Sequence, residues 1–131
     1  MKKLSLFALL AVFTLILTAC GGGQSTTKIT VNMTDFKFDM DNYTVAAGKE
    51  ITMNIKNEGA VVHEFVIMKP GLTIGDDFGP EDEDNIYWEV EAEPGESKTV
   101  TFMAPAAGEY QVVCGTQGHF KAGMVTKLTV K

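Results

Sequence analysis

Glu50-Ile51-Thr52-Met53-Asn54-Ile55-Lys56 sets the fold class. Its apolar Ile51, Met53 and Ile55 alternate with Thr52, Asn54 and Lys56, a period of two that marks a half-buried strand. Ser97 to Met103 repeats the pattern, with Val100 and Phe102 alternating with Thr99 and Thr101. Further strands are expected at Lys28 to Met33, Tyr43 to Ala46, Val62 to Met68, Glu109 to Cys114 and Met124 to Lys131. Asp35 to Phe38 reads as a short strand or bend, and Ile86 to Val90 as a strand or a single helical turn. Ala47-Gly48, Asn57-Glu58-Gly59, Pro70-Gly71, Pro94-Gly95 and Ala107-Gly108 punctuate these runs as turns. Seven to eight short strands so separated predict an all-β protein, an antiparallel Greek-key β-sandwich.

The ends bound the domain. Lys2 and Lys3 precede an apolar run from Leu4 to Leu17, broken only by Ser5 and Thr14. Such a run reads as an export signal rather than a spanning helix. Leu17-Thr18-Ala19-Cys20 resembles a bacterial lipobox, in which cleavage precedes a lipid-bearing cysteine. Residues 1–19 are therefore expected to be a lipoprotein signal peptide and 20–27 a lipid-anchored, flexible Gly/Ser/Thr tether. An ordinary secretory peptide or an uncleaved anchor is the competing reading. Residues 28–131 suffice for one hydrophobic core and are too few for two. Export implies an oxidising compartment, but acylation of Cys20 would leave Cys114 with no disulfide partner in the chain.

Without Lys2 and Lys3, nine lysines stand against seventeen acids, a formal balance of −8. Ten of those acids fall between Asp76 and Glu96 with no basic residue among them. This charge argues against nucleic acid as a partner and suits a basic protein partner steered by long-range field. Asp76-Asp77 and Glu81-Asp82-Glu83-Asp84 read as a solvated loop or a docking patch, and Tyr87 and Trp88 as the apolar anchor of that insertion. The acids lack the ordered spacing of a calcium loop.

Cys114, His119 and Met124 are spaced C-x4-H-x4-M, and His63 lies fifty-one residues upstream of the cysteine. One thiolate, two imidazoles and a thioether form the ligand set of a mononuclear type 1 copper site. Both histidines of the chain are used, as is the only cysteine outside the leader. Taken singly, Cys114 could be a small buried hydrophobe, Met124 packing and His63 a satisfied core histidine. Strand parity argues for a shared site. Cys114 is in phase with Val112 and Tyr110, Met124 with Leu128 and Val130, and His63 with Phe65 and Ile67. Three ligands thus point inward from strand ends. Soft sulfur ligands favour Cu(I) while imidazole accepts both oxidation states, so the set tolerates one-electron cycling. Gly115, Gly118 and Gly123 let the loop turn tightly around it, and their amides are expected near the thiolate.

Thr34-Asp35-Phe36-Lys37-Phe38, Val45-Ala46-Ala47-Gly48, Asn57-Glu58-Gly59, His63-Glu64-Phe65, Pro94-Gly95-Glu96 and the final ligand loop together resemble the cupredoxins. The loop spacing is most like that of auracyanin and rusticyanin. The resemblance implies equatorial His63, Cys114 and His119, axial Met124, and an apolar patch at Ala60, Val61, Val62 and Phe120 through which electrons pass. Many cupredoxins carry Asn where this chain has Glu64, which bears on loop tethering and tuning. The function expected is a membrane-tethered, one-electron carrier between redox proteins, without enzymatic activity or small-molecule substrate. Copper delivery or resistance by an exported copper-binding protein is the alternative. Two histidines cannot supply the further coppers of multicopper oxidases or nitrite reductases.

Overall fold

The computed structural model describes residues 24–131; the expected signal peptide over 1–19 and Cys20 lie outside them. Among the described residues the chain forms nine strands. They are β1 (Lys28–Thr34), β2 (Lys37–Phe38), β3 (Tyr43–Val45), β4 (Glu50–Asn57), β5 (His63–Met68), β6 (Ile86–Ala92), β7 (Ser97–Met103), β8 (Gly108–Val113) and β9 (Val125–Val130). One sheet has the order β2-β1-β4-β7 and the other β3-β9-β8-β5-β6. The expected β-sandwich is present, with one or two more strands than the spacing suggested.

Pairing is mixed rather than wholly antiparallel: β1 runs parallel to β4, and β3 parallel to β9. The cause is connectivity. After the β1–β2 hairpin the chain crosses to the edge of the other sheet as β3, then returns as β4 beside β1. A return by crossover leaves neighbours parallel, whereas a tight hairpin would reverse them. Ile86 to Val90 resolves as strand β6, paired along β5 from His63 opposite Ala92. A 3-10 helix at Pro80–Asn85, not expected from the sequence, leads into it; Pro80 occupies its first turn, where the missing N–H costs nothing.

Alternation dictates the core. Ile51, Met53 and Ile55 of β4 and Ile29, Val31 and Met33 of β1 face Phe65, Ile67, Val112, Leu128 and Val130 across the sandwich. Phe65 meets Phe38 and Tyr43 edge-on at centroid distances of 5.6 and 5.7 Å. Strand β5 departs from alternation because both its faces are buried: Val66 and Met68 lie under Ile74 and Phe78 of the segment between β5 and the 3-10 helix. That insertion is thus pinned by its own Ile74 and Phe78. Trp88 stacks on Phe102 at 4.7 Å and the Tyr87 hydroxyl donates to the Met103 carbonyl at 2.9 Å, so both tie β6 to β7 instead. The acids of the insertion are mostly exposed around an open cleft of about 570 Å³ beside Gly115 and Gln117. No helix among the described residues is long and apolar enough to cross a membrane.

Candidate metal centre

Four loops meet at one end of the sandwich. His63 opens β5, directly after the turn that leaves β4. Asn57, fully buried at the end of β4, holds that turn: its side-chain amide donates to the carbonyls of Val61 (2.8 Å) and Ala92 (2.9 Å) and accepts the Gly59 N–H (2.8 Å). Asp35, in the β1–β2 turn, supplies the second hold. Its carboxylate accepts the Ala60 N–H at 2.9 Å and meets His63 Nε2 at 2.8 Å. Gly59 is required here, since a Cβ would run into the Asp35 carboxylate and lie 2.8 Å from His63 Nε2.

The segment from Cys114 to Met124 closes on itself. The Cys114 N–H donates to the Met124 carbonyl (3.1 Å), and the Met124 N–H to the His119 carbonyl (3.0 Å). The sharp reversal between His119 and Met124 passes through Gly123 at φ 100°, in the left-handed region glycine tolerates. Gly118, at φ 82°, donates its N–H to Asp77 Oδ2 at 3.1 Å, which ties the acidic insertion to the ligand loop. The thiol sulfur takes its amide bond from Glu64 N–H at 3.3 Å, so the loop glycines are not its donors. With Glu64 at the position where many cupredoxins carry Asn, the loops are joined by this backbone bond and by Thr116 Oγ1 donating to the Val62 carbonyl at 3.4 Å. The Glu64 side chain lies half-buried against Gly115, where an added Cβ would collide with it.

Strand parity is matched by burial. His63, Cys114 and Met124 are fully buried, and His119 is 7 % exposed. His63 Nδ1 lies 3.2 Å from His119 Nδ1, and Cys114 Sγ lies 3.3 Å from His119 Nδ1 and 3.9 Å from His63 Nδ1. Both imidazoles therefore turn Nδ1 toward one point and toward the sulfur. A first-row ion bonded at about 2.0–2.3 Å to nitrogen and sulfur sets trigonal ligand atoms about 3.5–3.8 Å apart, close to the observed spacing. Among the described residues, no buried side-chain nitrogen or oxygen lacks a partner.

Electrostatics follow from this packing. Burial pushes the Cys114 thiol up, against the pull of the Glu64 amide and of Thr116. Burial, then the neighbouring His63, lowers His119. The Ala60 amide and His63 hold the Asp35 carboxyl below its ordinary range. Glu64 is raised by burial and by Glu89, Glu91 and Glu83 around it.

The sequence reading missed Asp35, Asn57 and Phe36 as parts of the site. Phe36 lies edge-on to His119 at 4.6 Å and to His63 at 6.2 Å, and is 43 % exposed. It lies over the two histidines, whereas Phe120 turns partly into the outer cluster with Val66 and Phe78; Ala60 and Val61 are exposed. The available signals were the Asn57-Glu58-Gly59 turn and the Asp35-Phe36 pair, but neither states what it contacts.

A model of the cupredoxin-like domain matches residues 6–127. The chain belongs to the cupredoxin family. Auracyanin-A of Chloroflexus aurantiacus is 31 % identical over 147 residues, covering 90 % of this chain and 91 % of its own. Its solved structure, described as a "blue" copper protein, superposes with a TM-score of 0.62 at 32 % identity over 79 % of this chain and 99 % of that one. Dithionite-reduced auracyanin from Roseiflexus castenholzii gives a TM-score of 0.70 at 31 % identity, covering 82 % and 99 %. The copper-resistant cuproprotein CopI of Rubrivivax gelatinosus is 28 % identical over 115 residues, 82 % of this chain and 67 % of its own.

This cupredoxin has His63, Cys114, His119 and Met124 positioned to bind one copper ion. The donor set fits: one soft thiolate, two neutral imidazole nitrogens and a thioether match copper better than zinc, for which methionine is a poor ligand. Ligand set and family together support a blue copper electron carrier.

Proposed function

We propose that this cupredoxin carries single electrons between redox proteins on the outer side of a membrane, to which lipid on Cys20 holds it. Bound copper would supply the Cu(I)/Cu(II) couple. The observation that carries the reading is the asymmetry of burial: three ligands are sealed from water, and only the His119 edge approaches the surface. Sealing keeps water from the metal and lowers reorganisation on electron exchange. The hydrogen bonds of Asn57, Asp35 and Glu64 hold three of the four loops in one geometry for both oxidation states. Phe36 packs against His119 and is itself exposed, which gives the histidine apolar cover at the surface, and the acids at 76–96 suit a basic partner. Both histidines are committed to this site, leaving none to hold a second copper, which supports a non-enzymatic carrier.

Voltammetry of the copper-loaded protein tests the carrier. A reversible one-electron couple at positive potential, with copper retained against a weak chelator, is the expected result. Rapid copper loss or no reversible couple would replace it by a second reading, copper delivery or resistance, which the similarity to the cuproprotein CopI favours. For the anchor, Cys20→Ala should move the protein from the membrane fraction to the soluble fraction of the export compartment, or leave its precursor uncleaved. Wild-type protein found in the soluble fraction would contradict lipid anchoring.

A further inference from the structure

The His63 ring has two nitrogens with two fates. Nδ1 faces His119 Nδ1 at 3.2 Å and Cys114 Sγ at 3.9 Å, while Nε2 meets Asp35 Oδ1 at 2.8 Å. A carboxylate accepts and cannot donate, so this contact places the ring proton on Nε2 and leaves the Nδ1 lone pair free. Asp35 is itself fixed by the Ala60 N–H, which reaches both its oxygens at 2.9 and 3.2 Å. Gly59, without a Cβ, lets the carboxylate approach. The Asp35 side chain is about one-third exposed (32 %), whereas that of His63 is fully buried. A negative charge thus stands behind one ligand, on the side away from the metal.

We propose that Asp35 is the positioning residue that fixes the His63 tautomer for metal binding and, through its charge, holds the reduction potential of the copper site below what the four ligands alone would give. The inference rests on the copper reading of the site. Its physical basis is general: a carboxylate behind a ligating imidazole orients the ring and raises its basicity. A fixed negative charge nearby also favours the more positive oxidation state, Cu(II), over Cu(I). Glu64 and Asp77 also place carboxylates by the ligand loops. Neither forms a hydrogen bond to a ligating imidazole; Glu64 contributes its backbone amide to the sulfur, and Asp77 bonds the Gly118 amide.

Two variants and one metal-free measurement test this. Long-range proton–nitrogen correlation spectra of metal-free wild-type protein should show His63 protonated at Nε2 and not at Nδ1. Asp35→Asn keeps an acceptor oxygen for Ala60 N–H and for Nε2–H but removes the charge. It should retain the tautomer and the visible spectrum while raising the potential by roughly tenfold in the Cu(I)/Cu(II) equilibrium, ~59 mV for one electron. Asp35→Ala should mix the tautomers and weaken copper binding roughly tenfold or more. A His63 proton on Nδ1 in the metal-free wild type would overturn the proposal, as would an unchanged potential in Asp35→Asn. Should wild-type protein show no reversible couple, the carrier reading fails, and the tautomer spectrum still judges the role of Asp35.

Discussion

Cys114→Ala should abolish the intense visible absorption of the copper-loaded protein. The sulfur sits 3.3 Å from His119 Nδ1 and 3.9 Å from His63 Nδ1, so it completes a triangle that two imidazoles cannot close. Strong absorption requires charge transfer from a thiolate, and Cys114 is the free cysteine of the described residues. With alanine there, any copper retained by His63 and His119 would show only weak d–d bands. The metal-free fold should tolerate the change better than the site does. Replacing one buried sulfur by hydrogen removes little volume, and the Glu64 N–H loses only a weak acceptor. Absorption spectra of loaded protein, with thermal unfolding of metal-free protein as control, separate the two effects. A visible band of wild-type intensity in the variant would remove Cys114 from the site.

Asn57→Ala should be the most destabilising polar substitution at this end of the sandwich. The side chain is fully buried and makes three hydrogen bonds, two donated to the Val61 and Ala92 carbonyls and one accepted from Gly59 N–H. Alanine leaves those three backbone groups unpaired, each at a cost of about 1–3 kcal/mol where water cannot reach. Partial relaxation of the exposed turn at Glu58 to Val61 reduces the sum, so about 3 kcal/mol is expected. For a domain of this size that lowers Tm by roughly 12–24 °C. The turn also positions His63, so copper affinity should fall alongside stability. Chemical denaturation of metal-free protein measures the first effect and chelator competition the second. A loss under about 1 kcal/mol would mean that the turn holds its shape without Asn57.

The strand pattern was legible because alternation is local. The reading of Glu50 to Lys56 needed only its own residues, and β4 runs from Glu50 to Asn57. The pairing of β1 with β4 was not legible, since direction depends on where the chain crosses between sheets. β5 misled in another way: its second face is buried by Ile74 and Phe78, so a solvent-facing row was never available to alternate. The four ligands were legible because copper restricts donor type, and strand parity placed three of them inward. Asp35 and Phe36 reach the same site from 28 and 27 residues upstream of His63, through a turn whose sequence does not encode its contacts. The Glu64 case is similar. Its side chain differs from the family pattern, but the bond to sulfur comes from its backbone, which any residue but proline supplies.

His63, Cys114, His119 and Met124 are positioned to hold a single mononuclear copper ion. The most direct test is a visible titration of metal-free protein with Cu(II). An intense charge-transfer band that rises linearly and saturates at one equivalent is the predicted result. Weak d–d bands alone, or saturation at two equivalents, would contradict it.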